Sequence, residues 1–591
     1  MAVTLNSPGI FLNENDTSQI TTGPIAVGAA LVGPTVKGPV NLPTVVTSYS
    51  DFKSKFGAAF TEPTGSTTEY LTSIAAYNYF QQGGSSLLVS RVVRGIYSPA
   101  TASIDGVVTQ SFELETLSQG ALMNSVGPFQ SGSTSAFTAS IYNATSSALI
   151  SGSADNIRWE ITAANISTGQ FSLSIRQGDD YQGAKTVLES WNNLSLDPNA
   201  PNYIEYVLGN QFSTITPDAQ GNYYVNTSGS YPNNSRYVRV KSVKATTPNY
   251  LDATGNPKAQ YTASIPLVGS GSLFGGFASA LGSIVPGLAT SMFESIPAAP
   301  DLSIQGVSGS DYNNVISVLS NKDLFQYNVV YAPGLTIQNA PSQISTLVGN
   351  TQQRGDAIAV IDLAAYNTVS NNTITGLAQS IDSSYAAAYY PWLQLRSQET
   401  GKLVNCPPST VVPAAYEFND RVGQPWFAPA GINRGALPTV VQPQRRLTVS
   451  DRDALYQGKV NPIGVLPGQG TVILGQKTLQ SSNSALNRVN VRRLLIELKS
   501  NINQISSTLL FEPNTTATRN SFLNQVNPYL QFVQQKQGLF AFQVVMDETN
   551  NTADVIDRNQ LVGAIYLQPT RTSEFIIVDF NITPTGATFG A

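Results

Sequence analysis

Ile25-Ala26-Val27-Gly28-Ala29-Ala30-Leu31-Val32, closed by Gly33-Pro34, is a short apolar run with no charge in it, and it reads as a strand. Pro43 to Thr47 reads as a second strand. Glu69 to Phe80 is helix-like, with Leu71, Ile74 and Ala75 on one face, and Gly83-Gly84 stops it. Ser86 to Val93 is a β-rich run. Strand, then helix, then strand favours an α/β layer at the start of the chain.

Beyond this unit the texture changes. From about Gly95 to Pro300, Ser, Thr, Gly, Asn and Tyr dominate, with short alternating runs such as Phe171–Ile175 and Tyr237–Val243. These predict one or two β-rich insertions. The α/β texture returns near Asp323, where Asn328–Tyr331 and Ala357–Asp362 are strand candidates, each followed by a helical stretch. Near the end, Asn490 is placed to cap a helix carrying Val491, Leu494, Leu495, Leu498, Ile502, Ile505 and Leu509 at three- and four-residue spacing. Arg493 and Glu497 would pair on its outer face. A second helix is expected over Arg519 to Lys536, kinked at Pro528. Strands are expected over Leu539–Met546 and Gln560–Leu567. A last strand, Glu574 to Thr583, would be free to pair with another subunit.

At 591 residues the chain is far too long for one core, and roughly 150 residues per domain gives about four domains. Charged residues are 12% of the total, about half the ~25% usual in soluble domains, which suits a subunit that buries much of its exterior against neighbours. A Gly/Asn/Ser/Thr-rich β surface would lower the charge equally well. The net charge of −5 argues against a general nucleic-acid binder. It is also uneven. Between Gly95 and Ser235 eleven acids face only Arg158, Arg176 and Lys185, so that stretch is −8 and the remainder +3. The N-terminus has neither a basic nor an apolar signal region, and the uncharged run Ala259–Ser291 is broken by Pro266, Pro286 and several glycines, so no membrane insertion is expected.

The chain contains no histidine, which removes Ser-His-Asp and Cys-His catalysis and the commonest zinc and iron sites. Cys406 is the single cysteine, so no intrachain disulfide can form, folding in a reducing cytoplasm is expected, and an inert thiol is the default reading. A carboxylate pair could still serve a glycan hydrolase. Asp179-Asp180 and Glu113/Glu115 are the candidates, against the plainer reading that they solvate a turn or a strand edge. Gly470 to Thr478 resembles a phosphate loop, but Gln476 separates Gly475 from Lys477, and the segment reads as a strand. Asp547-Glu548-Thr549 is better read as a solvated turn than as a cation site. No catalytic residue, cofactor or metal is therefore expected.

Several segments taken together resemble the contractile tail sheath family of bacteriophages, of the myovirus type. Ser7-Pro8-Gly9-Ile10 with Ile20-Thr21-Thr22 resembles its N-terminal arm, and Leu31 to Val40 with Thr44 to Gly57 its early signature. Phe80 to Gly84 and Leu88 to Val92 fit the strand after its first helix. Ser383 to Trp392, Pro407-Pro408-Ser409 and Ala428 to Gly431 follow in the family's order, as do Asn461-Pro462-Ile463, Lys477-Thr478-Leu479, Val489 to Leu494, Phe511 to Asn514 and Asp547 to Asn550. Val412 to Tyr416 departs from the family's glycine-containing version, and residues 95–320 carry no resemblance.

The resemblance implies a multidomain α/β and α+β protein: an N-terminal arm (1–20), a sheath core in two parts (21–94 and 321–440), a β-rich outward insertion (95–320), a C-terminal α/β domain (441–573) and a C-terminal arm strand (574–591). It implies a structural subunit, not an enzyme, that stacks as hexameric rings around a tail tube. The subunit would meet tube, baseplate and tail terminator proteins, in the virion tail and, during assembly, the host cytoplasm. Contraction would be a rigid-body rearrangement that drives the tube through the host envelope. A sheath of a non-phage contractile injection particle is the alternative. Strand exchange with neighbours would run through Ile10 and Phe11 at one end and Phe575, Ile576, Ile577, Val578 and Phe580 at the other. Arg492, Arg493 and Lys499 are the candidates for facing the tube.

Overall fold

The computed structural model describes residues 27–61, 67–124, 142–143, 148–149, 154–180, 184–219, 223–268, 275–282, 296 and 305–574. The opening run forms the strand Val27–Gly33, and it lies inside an eight-stranded sheet. Strand order is Thr44–Val46, Leu87–Arg91, Val27–Gly33, Tyr327–Thr336, Ile358–Asp362, Ala386–Tyr390, Asn461–Leu466, Gly470–Ile473. The six strands from Leu87–Arg91 to Asn461–Leu466 are mutually parallel, and the two outermost strands run antiparallel to them.

Parallel strands need both faces covered, and the side chains divide accordingly. Ala30, Val32, Leu88, Val330, Ala359, Ile361, Ala386 and Ala388 join one apolar cluster with Ile344, Leu347 and Val348 of the helix Pro341–Arg354. Their sequence neighbours Ala29, Leu31, Val89, Val329, Val360 and Ala387 join a second cluster on the opposite face. That face is covered by the helices Leu71–Gln81 and Val412–Val422. Leu71, Ile74 and Ala75 are buried as expected, but so are Thr72, Ser73, Ala76, Asn78 and Tyr79, because the helix is packed on several sides. Cys406 lies in the same cluster, where burial pushes its thiol well above the ordinary range and leaves it inert.

The β-rich region has its own apolar cluster, built between a three-stranded sheet (Val238–Val243, Gln110–Gln119, Pro99–Asp105) and a four-stranded one (Val187–Ser195, Gln170–Gln177, Ile157–Asn165, Gly275–Gly276). The candidate acids there are occupied structurally. Asp180 takes Nε and Nη2 of Arg176 at 2.6 and 2.8 Å, and Arg176 also reaches Glu160 at 2.7 Å, all three being buried. Asp180 is thus an internal ion-pair partner, correcting the expectation of a solvated turn. Glu113 pairs with Lys241 and Lys244, and Glu115 with Arg239, on the neighbouring strand and just beyond it. Where this region leaves the main sheet, buried Arg91 donates to the carbonyls of Gly38 and Gln119, both at 2.8 Å. No helix among the described residues is long and apolar enough to cross a membrane.

Three carboxyls packed beside the main sheet are pushed up to about 7, chiefly by burial: Glu69, Asp362 and Glu417. Folding raises these values, so the native state keeps protons that the unfolded chain releases near pH 4. The stability they contribute is complete below that value and is lost as pH rises through about 7. Glu417→Gln stays neutral throughout. We expect it to melt with the wild-type chain at pH 5 and above it at pH 8, by on the order of 2 kcal/mol. Equal melting at both values, followed by circular dichroism, would contradict the assignment.

Candidate assembly site

The C-terminal region is built on two long helices. The helix Val489–Ser507 presents Leu494 and Leu498, and the helix Thr516–Gln535 presents Phe522, Val526, Leu530 and Val533, to a separate apolar cluster completed by Trp426, Leu539 and Met546. Thr515 caps the second helix by accepting from the Thr518 amide. The first helix has no side-chain cap. Asn490 lies inside it, buried, with its amide turned to the Trp426 carbonyl, so the expected capping role is not realised.

Against these helices lies a sheet of only two strands, Leu539–Val545 and Ala564–Pro569, paired antiparallel with Phe542 opposite Leu567 and Val544 opposite Ile565. The second strand starts later than the expected Gln560. Asn551 bonds both the amide and the carbonyl of Val562, at 2.9 and 2.8 Å, and so takes the backbone groups that sheet pairing would need. Phe542, Val544, Ile565 and Leu567 face the cluster but are only partly buried, while Phe540 (75% exposed) and Tyr566 (62%) project outward. Among the described residues no further strand pairs with either edge. A two-stranded sheet is marginal alone, and free edges are templates for another chain. Beside it, a cleft of about 390 Å³ is lined by Asn487, Asn490, Val491, Arg571 and Glu574 among others.

The three tube-facing candidates are not placed alike. Arg493 is buried and ties its helix to Val412–Val422. One guanidinium nitrogen donates to Asp420 Oδ1 at 2.8 Å, a second donates to Oδ2, and the group lies 4.9 Å from the Tyr416 ring centre. Glu497 instead accepts from Asn501, so the expected outer-face pair is absent: a carboxylate remote in sequence gives a bidentate, half-buried partner, which is stronger than an exposed i,i+4 pair. Arg492 is also buried, donating to Ser384 and stacking 4.0 Å over Tyr385. Only Lys499 is exposed, with its amine 3.3 Å from the Tyr385 hydroxyl. The strand-exchange candidates Ile10, Phe11, Phe575, Ile576, Ile577, Val578 and Phe580 lie outside the described residues. Gly470–Ile473 is an edge strand, and the Lys477 amine is spent on the Tyr456 carbonyl at 2.7 Å, so no phosphate loop forms. Asp547 accepts from the Thr549 amide in a tight turn.

Residues 305–479 match the family profile described as the phage tail sheath protein central domain, and residues 481–583 that of the phage tail sheath C-terminal domain. These segments are similar to phage tail sheath domains. The tail sheath protein of Vibrio phage KVP40 is 44% identical over 172 residues, and that of Enterobacteria phage T4 is 43% identical over 170. Each alignment covers 29% of this chain and 26% of the relative, so the chain matches about a quarter of the length of these proteins. A solved sheath tail protein from Listeria innocua is 10% identical, covering 92% of this chain and 95% of its own, with a TM-score of 0.49. The boundary between the two sheath domains falls between Leu479 and Ser481, after the last strand of the main sheet and before the Val489–Ser507 helix.

Because Arg493 is buried and paired, Arg493→Glu should destabilise the C-terminal sheath domain by on the order of 3–5 kcal/mol, leaving Asp420 facing a like charge. Lys499→Glu, at an exposed position, should cost well under 1 kcal/mol. Urea unfolding of both variants, followed by Trp426 fluorescence, checks the contrast.

Proposed function

We propose that this chain is the subunit of a contractile phage tail sheath, joined to its neighbours by strands exchanged at the two-stranded sheet of its C-terminal domain. The observation that carries the reading is that sheet itself, within a phage sheath domain: two strands, no further strand on either edge among the described residues, and an inner face only half covered. Added strands would complete the hydrogen-bonding ladder and bury Phe542, Val544, Ile565 and Leu567. The runs around Ile10-Phe11 and Phe575 to Phe580 supply alternating or apolar residues suited to such pairing.

Subunits so joined stack as six-membered rings around a tail tube, with the baseplate and a terminator protein at the ends, in the virion tail. The core comprises residues 21–94 and 321–440 together with the strands Asn461–Leu466 and Gly470–Ile473 of the same sheet, the insertion 95–320 faces outward, and the net −8 of its residues 95–235 keeps the outer surface soluble. Contraction is a change of packing between rigid subunits whose mesh of backbone hydrogen bonds stays intact. The role is structural. Of the tube-facing candidates, Lys499 is the residue whose charge is available to another protein.

Removing residues 576–591 should leave a chain that folds and stays monomeric at concentrations where the full-length chain, with tube protein present, forms long hollow cylinders. Negative-stain electron microscopy and sedimentation read the outcome. Cylinders from the truncated chain would overturn strand exchange at the C-terminal end.

A further inference from the structure

The carboxylate of Glu574 is held by side chains from three separate parts of the chain. Glu574 accepts from Nε and Nη2 of Arg488 at 2.6 and 2.9 Å, from the Tyr456 hydroxyl at 2.7 Å, and from Nε2 of Gln476 at 3.2 Å. Gln476 also reaches Thr572 Oγ1 at 2.6 Å. Arg488 is fixed in turn by Asn487 Oδ1 at 2.9 Å and immediately precedes the Val489–Ser507 helix. Tyr456 belongs to the helix Val449–Gln457, and Gln476 follows the strand Gly470–Ile473. Tyr456 and Gln476 therefore come from the central sheath domain, and Arg488 and Glu574 from the C-terminal one. One carboxylate gathers both.

Bidentate guanidinium–carboxylate pairs are directional as well as strong, and in this one the two side chains are only 26% and 18% exposed. Upstream of it, the preceding backbone tie is the Thr570 amide on the Gly538 carbonyl at 3.2 Å, and Arg571 and Ser573 are exposed. Without the carboxylate, the fixed point would recede to Thr572, held by the single bond from Gln476, and beyond it to Thr570. Two to four residues add up to roughly 7–13 Å of reach and release the exit direction. A donated strand is a tethered ligand, so its effective concentration at an acceptor falls as the tether lengthens and loses its aim.

We propose that Glu574 is a positioning residue for assembly, fixing the root of the C-terminal segment at the joint of the two sheath domains so that the segment is directed toward a second copy of the chain. The inference rests on the strand-exchange reading above. It adds that assembly depends on where that segment is anchored as well as on its own sequence.

The test uses the full-length chain in three variants: Glu574→Ala, Glu574→Gln, and the exchange Arg488→Glu with Glu574→Arg. Amide hydrogen exchange over residues 570–574 is measured on monomers, and the critical concentration for cylinders by sedimentation. Glu574→Ala should speed exchange in that segment alone and raise the critical concentration about tenfold. Glu574→Gln, which keeps an acceptor, should fall between it and the wild type, and the charge exchange should recover most of the loss. Unchanged hydrogen exchange in Glu574→Ala would show that the carboxylate anchors nothing. Faster exchange with a wild-type critical concentration would show an anchor without a role in assembly. Either result overturns the proposal. Should Glu574→Ala fail to fold, the same two readouts on Glu574→Gln and the charge exchange decide it. Failure of the wild-type chain to form cylinders with tube protein would instead count against strand exchange, and hydrogen exchange would still decide whether Glu574 is an anchor.

Discussion

The strand Val27–Gly33 pairs on both edges, with Leu87–Arg91 on one side and Tyr327–Thr336 on the other. Everything else in the main sheet depends on this double pairing. It joins two stretches of chain that lie more than two hundred residues apart, and it requires the intervening region to leave and return beside the same strand. Gly33 shows how close the packing is: a Cβ there would collide with the Thr72 hydroxyl. The helix Leu71–Gln81 can therefore lie directly on the strand, and its burial on several sides follows. A large insertion is tolerated because it builds its own core and meets the rest of the chain at a few places, among them its root, where Arg91 satisfies the carbonyls of the joining turns.

The scarcity of charge takes on a second meaning in this light. Several of the few charged groups lie inside the chain, as connectors between elements. Arg176 joins neighbouring strands of the insertion to the turn beyond, Arg354 reaches the carbonyls of Leu319 and Phe325, and Arg493 joins two helices. Guanidinium suits these places because its planar donors can satisfy two or three acceptors at once, which a buried amine does less well. The surface left over is correspondingly poor in charge, and this is the state in which a subunit's exterior can be covered by copies of itself without stranding many ions away from water.

Where the sequence could be read, it was because the signal was local. The apolar run to Val32, the helix stopped by Gly83-Gly84, and the three- and four-residue spacing from Val491 to Leu498 all translate directly into elements. The candidate site was legible only in outline. Periodicity places Arg493 on a helix but cannot say that Asp420, 73 residues earlier, waits across the interface, so the nearer Glu497 seemed the natural partner. Asn490 has the right residue type for a cap but lies two positions too late, because the helix begins at Val489 and its cap position is Arg488. Asp180 beside Asp179 suggests a solvated turn until Arg176 is found to fold back over it. Each of these depends on a partner that only tertiary structure brings near.

Glu574 is the case in which this distinction bears on mechanism. In sequence it opens a run of apolar residues and looks like the first residue of a strand. In space it is the point where both sheath domains hold the chain. Two kinds of contact are then separated along a few residues. A strand pairs through backbone groups that are alike at every position, so it can tolerate changes of angle between subunits but cannot by itself set where it starts. A carboxylate bound by Arg488, Tyr456 and Gln476 accepts one geometry only and sets the start. A sheath that must change its packing without losing its connections needs both, and the proposed arrangement puts the tolerant contact between subunits and the intolerant one within the subunit.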